Sequence, residues 1–416
     1  MSESVKDNLK ARLVKVLPEP GPLRIMATST IINTFGNGLF FTIEVIFLTR
    51  SVGLTPHQVG IGFMIAAAIS LPMSIPAGHF ADRIRIRNWV GASQIIQGVV
   101  AASFIFIHSY SAFLILTIFV EIIGTGTQTL RMTLITRLSG AGEERVRFRA
   151  YLRAVTNLGI GAGASFAGIS LTIDTRTAYA TLVVINGATF IAAALIFFKL
   201  PDTRLMLIPD AEPREKGPRF VALRDRRYIT ATILNGVYSI HFIIQGVGIP
   251  LWIVNFTTAP RWTVSLVMLI NTVACVLFSV RASKGTGDIH RAARIYFRAG
   301  LFVAAGAVIY AFAQGANPLL ATTFLVVGMI FHVTGELLGS GAGWGLGFGL
   351  AVDEYQGQYQ GVWQLGWGIG AVVGPALVTF LVVDKQKTGW FILAGIFIVT
   401  TYLFLPLVRS YQSKEV

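Results

Sequence analysis

Twelve apolar runs, each about as long as a bilayer is thick, dominate this 416-residue chain. They lie near 24–49, 58–80, 88–108, 111–137, 149–171, 178–199, 228–254, 262–281, 293–314, 318–343, 360–383 and 389–409. About 20 apolar residues in a helix cross roughly 30 Å of hydrocarbon. Inside hydrocarbon every backbone N–H and C=O needs an internal partner, which leaves the helix for runs of this length. The pattern predicts an all-α membrane protein with twelve transmembrane helices. Charged residues make up only 13% of the chain, against about 25% in soluble domains.

The net charge of +14 admits a nucleic-acid reading. That reading needs a basic face on a soluble fold, and the charges here lie between apolar runs. With the N-terminus inside, the predicted inner segments hold 28 Lys and Arg and the outer ones 5: Arg50, Arg176, Arg261, Lys385 and Lys387. Arg131 remains, near the inner end of span four. This bias predicts a multi-pass protein of the cell membrane with both termini cytoplasmic. It accounts for the charge with the lipid bilayer as partner and no nucleic acid. Residues 1–22 read as a cytoplasmic leader, in which 4–17 suit an amphipathic helix on an anionic leaflet or a disordered segment. No cleavable signal peptide is evident, since the first apolar run follows a polar leader and is too long. The single cysteine, Cys275, reads as a small buried hydrophobe.

The chain also repeats. Glu121-Ile-Ile-Gly-Thr-Gly126 returns as Glu336-Leu-Leu-Gly-Ser-Gly341, at an offset of 215. Thr30-Ile-Ile-Asn33 returns as Thr232-Ile-Leu-Asn235, at an offset of 202. The words fall in the first and fourth spans of each half, and both halves begin on the same side. This is a parallel repeat. The polar, proline-punctuated segment 200–227 reads as the linker between six-helix bundles at 23–199 and 228–410, with 411–416 as a tail.

Between spans two and three stands Gly78-His-Phe-Ala-Asp82-Arg83-Ile-Arg-Ile-Arg87. Gly-x-x-x-Asp-Arg with following basic residues at this place resembles the signature loop of the major facilitator superfamily. Arg85 and Ile86 stand where a glycine and a basic residue are usual. The second half's turn, Arg281-Ala-Ser-Lys-Gly-Thr-Gly-Asp288, is degenerate. The resemblance implies two six-helix repeats around a central cavity lined by spans one, four, seven and ten. It implies alternating access in a monomeric transporter with no cofactor, and an inner gate built from Gly78, Asp82, Arg83, Arg87 and Arg131. Many proton-coupled drug antiporters of the family carry Gly-Pro in span five. Here span five reads Gly159-Ile-Gly-Ala-Gly163, and Gly374-Pro375 lies in span eleven.

A carboxylate in hydrocarbon costs about 3 kcal/mol or more, so it faces water, pairs or takes a proton. Glu121, Glu336 and Glu44 are the candidates for proton coupling. Glu121 and Glu336 carry the coupling proton, a cationic substrate group or both, or else serve helix packing. Glu44 either reaches the interface or lines the outer mouth. Asn33, Asn37, Gln128, Asn235, Tyr238, His241, Gln245, Trp344, Trp363 and Trp367 are candidate substrate residues. His241 either binds substrate or is structural. Gly339, Gly341, Gly343, Gly345, Gly347 and Gly349 alternate, and suggest a hinge through local unwinding. No Walker A motif and no His-x-x-x-His or Glu-x-x-His array occurs. A small-molecule transporter is therefore expected, without metal or enzymatic chemistry. The leading expectation is proton-coupled export of amphipathic or cationic compounds, as in multidrug efflux. The alternatives are nutrient or metabolite transport, or a non-transporting receptor.

Overall fold

A computed structural model describes residues 21–81, 83–201 and 220–412. The expected leader helix, Asp82 and most of the linker lie outside those residues. Among the described residues the regular structure is helical throughout. Twelve long elements follow in order: α1 Pro22–Ser51, α2 Pro56–Ala81, α3 Ile86–Phe106, α4 Tyr110–Leu138, α5 Glu143–Ile173, α6 Arg176–Phe197, α7 Arg226–Phe256, α8 Thr263–Ala282, α9 Ile289–Ala311, α10 Pro318–Gly349, α11 Asp353–Asp384 and α12 Gln386–Arg409. Eleven are long and apolar enough to cross a membrane. The other, α5, is 31 residues long and packs along α1 and α8, but its first three turns are rich in arginine. It begins six residues ahead of the expected span at 149, because a helix propagates past the hydrocarbon wherever the backbone ladder continues.

Polar residues between the apolar runs set where the helices start. Thr55 and Gln58 form a capping box on α2. Ser109, Thr175, Asp288 and Asn317 accept from the third amide of α4, α6, α9 and α10. Asp225 accepts from Arg227 N and Tyr228 N, both at 3.1 Å. Each cap satisfies an orphan donor and contributes about 1 kcal/mol. Proline occupies the first helical position of α1, α2 and α10, where its missing N–H costs nothing. Short π-turns occur in α1 at Phe47–Ser51, in α7 at Ile244–Gly248 and in α11 at Phe380–Asp384.

The largest apolar core draws its residues from Ala222 to Val408. At its centre the Trp252 indole donates to the Tyr310 carbonyl at 2.8 Å and meets Trp390 edge to face. Two smaller cores lie between Met26 and Leu200, one of which takes in Phe348.

The two halves meet at the face where the predicted cytoplasmic loops lie, called the basic face below. A Cβ on Gly78 of α2 would run into the Gly357 carbonyl oxygen at the start of α11 and lie 3.1 Å from Gly361 Cα, so only hydrogen fits there. Glu143, at the start of α5, accepts from the amides of Gly285 (2.6 Å) and Gly287 (3.1 Å) in the α8–α9 turn. Arg145 approaches Asp353 at 3.8 Å. The α8–α9 turn of the second half thus docks on the start of α5, and the end of α2 docks on α11.

The alternating glycines of α10 do not unwind it; the helix is regular to Gly349. They clear space on two sides instead. Gly343 faces Asn235 of α7 and Gly347 faces Trp363 of α11, while Gly341 faces Ser283 and Gly349 faces Ile289 beside the α8–α9 turn. Successive odd positions turn through about 200°, so the two rows face opposite neighbours.

Candidate functional site: a central cavity with three arginines

A cavity of about 400 Å³ lies between the halves. Its walls come from α1, α4, α5, α7, α10 and α11. Nine of the ten residues read from sequence as substrate contacts line it: Asn33, Asn37, Gln128, Asn235, Tyr238, His241, Trp344, Trp363 and Trp367. Gln245 does not; it sits in the π-turn of α7, beyond the level of His241. Several of the lining groups are already engaged. Asn235 Oδ1 accepts from the Tyr296 hydroxyl at 2.9 Å, and the Tyr238 hydroxyl donates to the Gly335 carbonyl at 2.9 Å.

Arg131, Arg149 and Arg153 share this cavity. Arg131 donates to Thr30 Oγ1 at 2.8 Å and lies over the Phe197 ring. It therefore stands in the cavity wall, within its own half, and its contacts do not bridge the halves. Arg149 stacks 4.9 Å above Trp344, and its buried Nε has no hydrogen-bond partner. Among the described residues neither has a carboxylate partner. Arg153 crosses to the other half. It donates to Ser340 Oγ at 2.6 Å and pairs with Glu336, and its guanidinium also lies over Phe242 and Trp344. The cavity thus presents two uncompensated guanidiniums, a third already paired, and aromatic faces between them.

In sequence Arg149 and Arg153 lie at the inner end of the span expected at 149–171 and count with the inner basic residues, not with the cavity contacts. The missed signal is their spacing: Arg145, Arg149 and Arg153 stand four apart, on one face of a helix. A second missed signal is His332-x-x-x-Glu336, one turn apart on α10.

Glu336 is buried behind Arg153. Asn271 Nδ2 donates to its Oε2 at 2.6 Å, and Cys275 Sγ lies 3.5 Å from its Oε1. Asn271 and Cys275 are four apart on α8, so one helix face serves the carboxylate. Glu121 lies elsewhere. It is the twelfth residue of α4, while Glu336 is the nineteenth of α10. Seven residues place Glu336 about 10 Å further along its helix. Glu121 has Glu44 of α1 as its charged neighbour, and neither acid lines the cavity. The repeated word therefore does not put the two acids in equivalent surroundings.

Of the expected gate residues, Gly78 makes the close α2–α11 approach described above. Arg83 is exposed. Arg87 donates to the Leu200 carbonyl at 2.9 Å, a contact within the first half. Asp82 lies outside the described residues.

Twelve long helices in two packed sets, with a cavity lined by arginines and aromatic rings between them, form the architecture of a secondary transporter. The family model named Major Facilitator Superfamily matches residues 26–353, and the chain belongs to that family. Solved structures share the fold at low identity. The human organic anion transporter MFSD10 (TETRAN) aligns with a TM-score of 0.67 and 14% identity, over 92% of this chain and 99% of that one. A bacterial homologue of the iron transporter ferroportin, in an outward-facing state, gives 0.73 and 12%, over 94% and 99%. The major facilitator transporter FucP, in its outward conformation, gives 0.68 and 17%, over 92% and 98%. No curated protein matches in sequence.

Proposed function

We propose that this transporter carries small organic anions. The observation that carries the reading is the placement of Arg131, Arg149 and Arg153 in one cavity, two of them without a carboxylate partner among the described residues. An uncompensated guanidinium away from bulk water is costly, and an anion offsets that cost through charge-assisted, often bidentate hydrogen bonds. Trp344, Trp363, Trp367 and Phe242 supply flat apolar surface for the body of such a substrate. A cationic substrate meets like charge here, so the cavity favours anions over the amphipathic cations expected from sequence.

Glu336 is the carboxylate we assign to proton coupling. Arg153 serves the acid or the substrate: a proton on Glu336 removes its charge and frees Arg153 for the anion. The contacts between the halves at the basic face support alternating access, with the halves rocking about the cavity. The loop charges support both termini being cytoplasmic.

The test is uptake into proteoliposomes. A panel of labelled mono- and dicarboxylates and amphipathic cations is offered, with and without an imposed proton gradient. Anion uptake is expected, with Arg149→Gln raising KM and Glu336→Gln abolishing the response to the gradient. Transport of cations alone, undisturbed by Arg149→Gln, refutes the reading.

A further inference from the structure

Beside the cavity, behind Arg153, three buried side chains converge. His241 comes from α7, and His332 and Glu336 come from successive turns of α10. One donor atom from each lies within 4.8 Å of the others. All three residues are at most 2% exposed. The imidazoles of His241 and His332 meet edge to face, with ring centroids 5.5 Å apart.

The hydrogen bonding of this cluster is incomplete. Neither ring nitrogen of His241 has a partner among the described residues, and neither does Nε2 of His332. An imidazole carries one donor and one acceptor, and a buried polar atom left unpaired costs about 1–3 kcal/mol. Two adjacent rings in this condition, both beside a carboxylate, share one simple remedy. A cation that accepts lone pairs from both rings and from the acid satisfies one unpaired nitrogen of each ring at once.

We propose that His241, His332 and Glu336 bind a divalent transition metal of the zinc class, bridging α7 to α10. Two imidazole nitrogens and one carboxylate oxygen suit zinc, cobalt or iron(II) better than magnesium or calcium, which prefer all-oxygen shells. Bond lengths near 2.0 Å put tetrahedral ligand atoms about 3.3 Å apart, so each donor moves in by roughly 1 Å. Glu336 has room for this role. Arg153 and Cys275 approach Oε1 and Asn271 donates to Oε2, while a carboxylate offers about four lone-pair sites. Asn271 and Arg153 then hold the ligating carboxylate as outer partners do in metal sites. Three protein donors leave one position open, and His241 also lines the central cavity, so that position faces the cavity. The Arg153 guanidinium opposes the metal's charge, which makes this a moderate-affinity site. The inference goes beyond the anion reading and does not depend on it, because its test reads ion binding without transport.

The full chain, purified in detergent without an affinity tag and stripped with a chelator, is titrated with Co²⁺. One equivalent is expected to give the intense visible absorption of a four- or five-coordinate site, displaced by Zn²⁺. X-ray absorption at the zinc edge is expected to count two imidazoles. His332→Ala abolishes the signal, and His290→Ala, in the α8–α9 region outside the cluster, retains it. Where His332→Ala does not fold, His241→Asn reads the same ligand set. Absence of a stoichiometric signal in the wild type, or its survival in either cluster variant, overturns the proposal.

Discussion

Cutting the Arg153–Glu336 pair from its two ends should have unequal consequences. Arg153→Gln strands a carboxylate whose side chain is 3% exposed, with Asn271 and Cys275 as its remaining hydrogen-bond contacts. Breaking a buried pair by removing one partner costs about 3–5 kcal/mol, because the surviving charge has no water to return to. Glu336→Gln strands Arg153 instead. That side chain is 16% exposed, borders the cavity, keeps its 2.6 Å bond to Ser340, and lies over two aromatic rings. Its loss is that of one charged hydrogen bond, about 1.5–3 kcal/mol. The double variant places two neutral amides side by side and should recover about 2 kcal/mol relative to the sum of the single changes. Unfolding of the three variants and the wild type, in one detergent at one pH, measures the cycle. Equal losses for the two single variants, with a strictly additive double, would refute the assignment of this contact as a buried cross-half ion pair.

Gly78→Leu should wedge α2 from α11, since even a Cβ there overlaps the Gly357 carbonyl oxygen. A cysteine placed at Thr156, in the cavity wall, should then react faster with a reagent added from the basic face. Cys275, 1% exposed, provides a silent background; an unchanged rate would count against the gate. Asn271→Ala removes the 2.6 Å donor to Glu336 and should cost about 1.5–3 kcal/mol, whereas Asn255→Ala, whose amide bonds only within its own helix, should cost little. Asp174 lies in the loop between α5 and α6, and hydrogen bonds from Tyr179 and then Arg50 hold its carboxyl below the ordinary value of 3.8. A depressed folded-state pKa contributes stability above the ordinary value, lost as pH falls through the folded one. The stability gap between wild type and Asp174→Asn should therefore be present at neutral pH and close in acid. A gap that persists in acid would show that the charge is not its source. Asparagine tolerates the residue's φ of 48°, so the change isolates the charge.

The number of spans, their helical form and the loop charge bias are local properties of the chain, and all were legible in sequence. Hydrocarbon thickness sets the run length, and backbone hydrogen bonding within lipid leaves the helix as the form. Many polar candidates on α1, α4, α7, α10 and α11 could be named because a polar group in an apolar run has few places to go. Which charges meet was decided by tertiary structure. Arg149 and Arg153 read only as inner-end basic residues of span five until packing turned that face of α5 into the cavity. Glu121 and Glu336 read as twins until packing placed one beside Glu44 and the other under Arg153. His241 and His332 lie 91 residues apart in sequence and converge only because α7 crosses α10. Helical periodicity orders side chains around one helix. The partner across the gap depends on how two helices pack, and no short word in the sequence carries that.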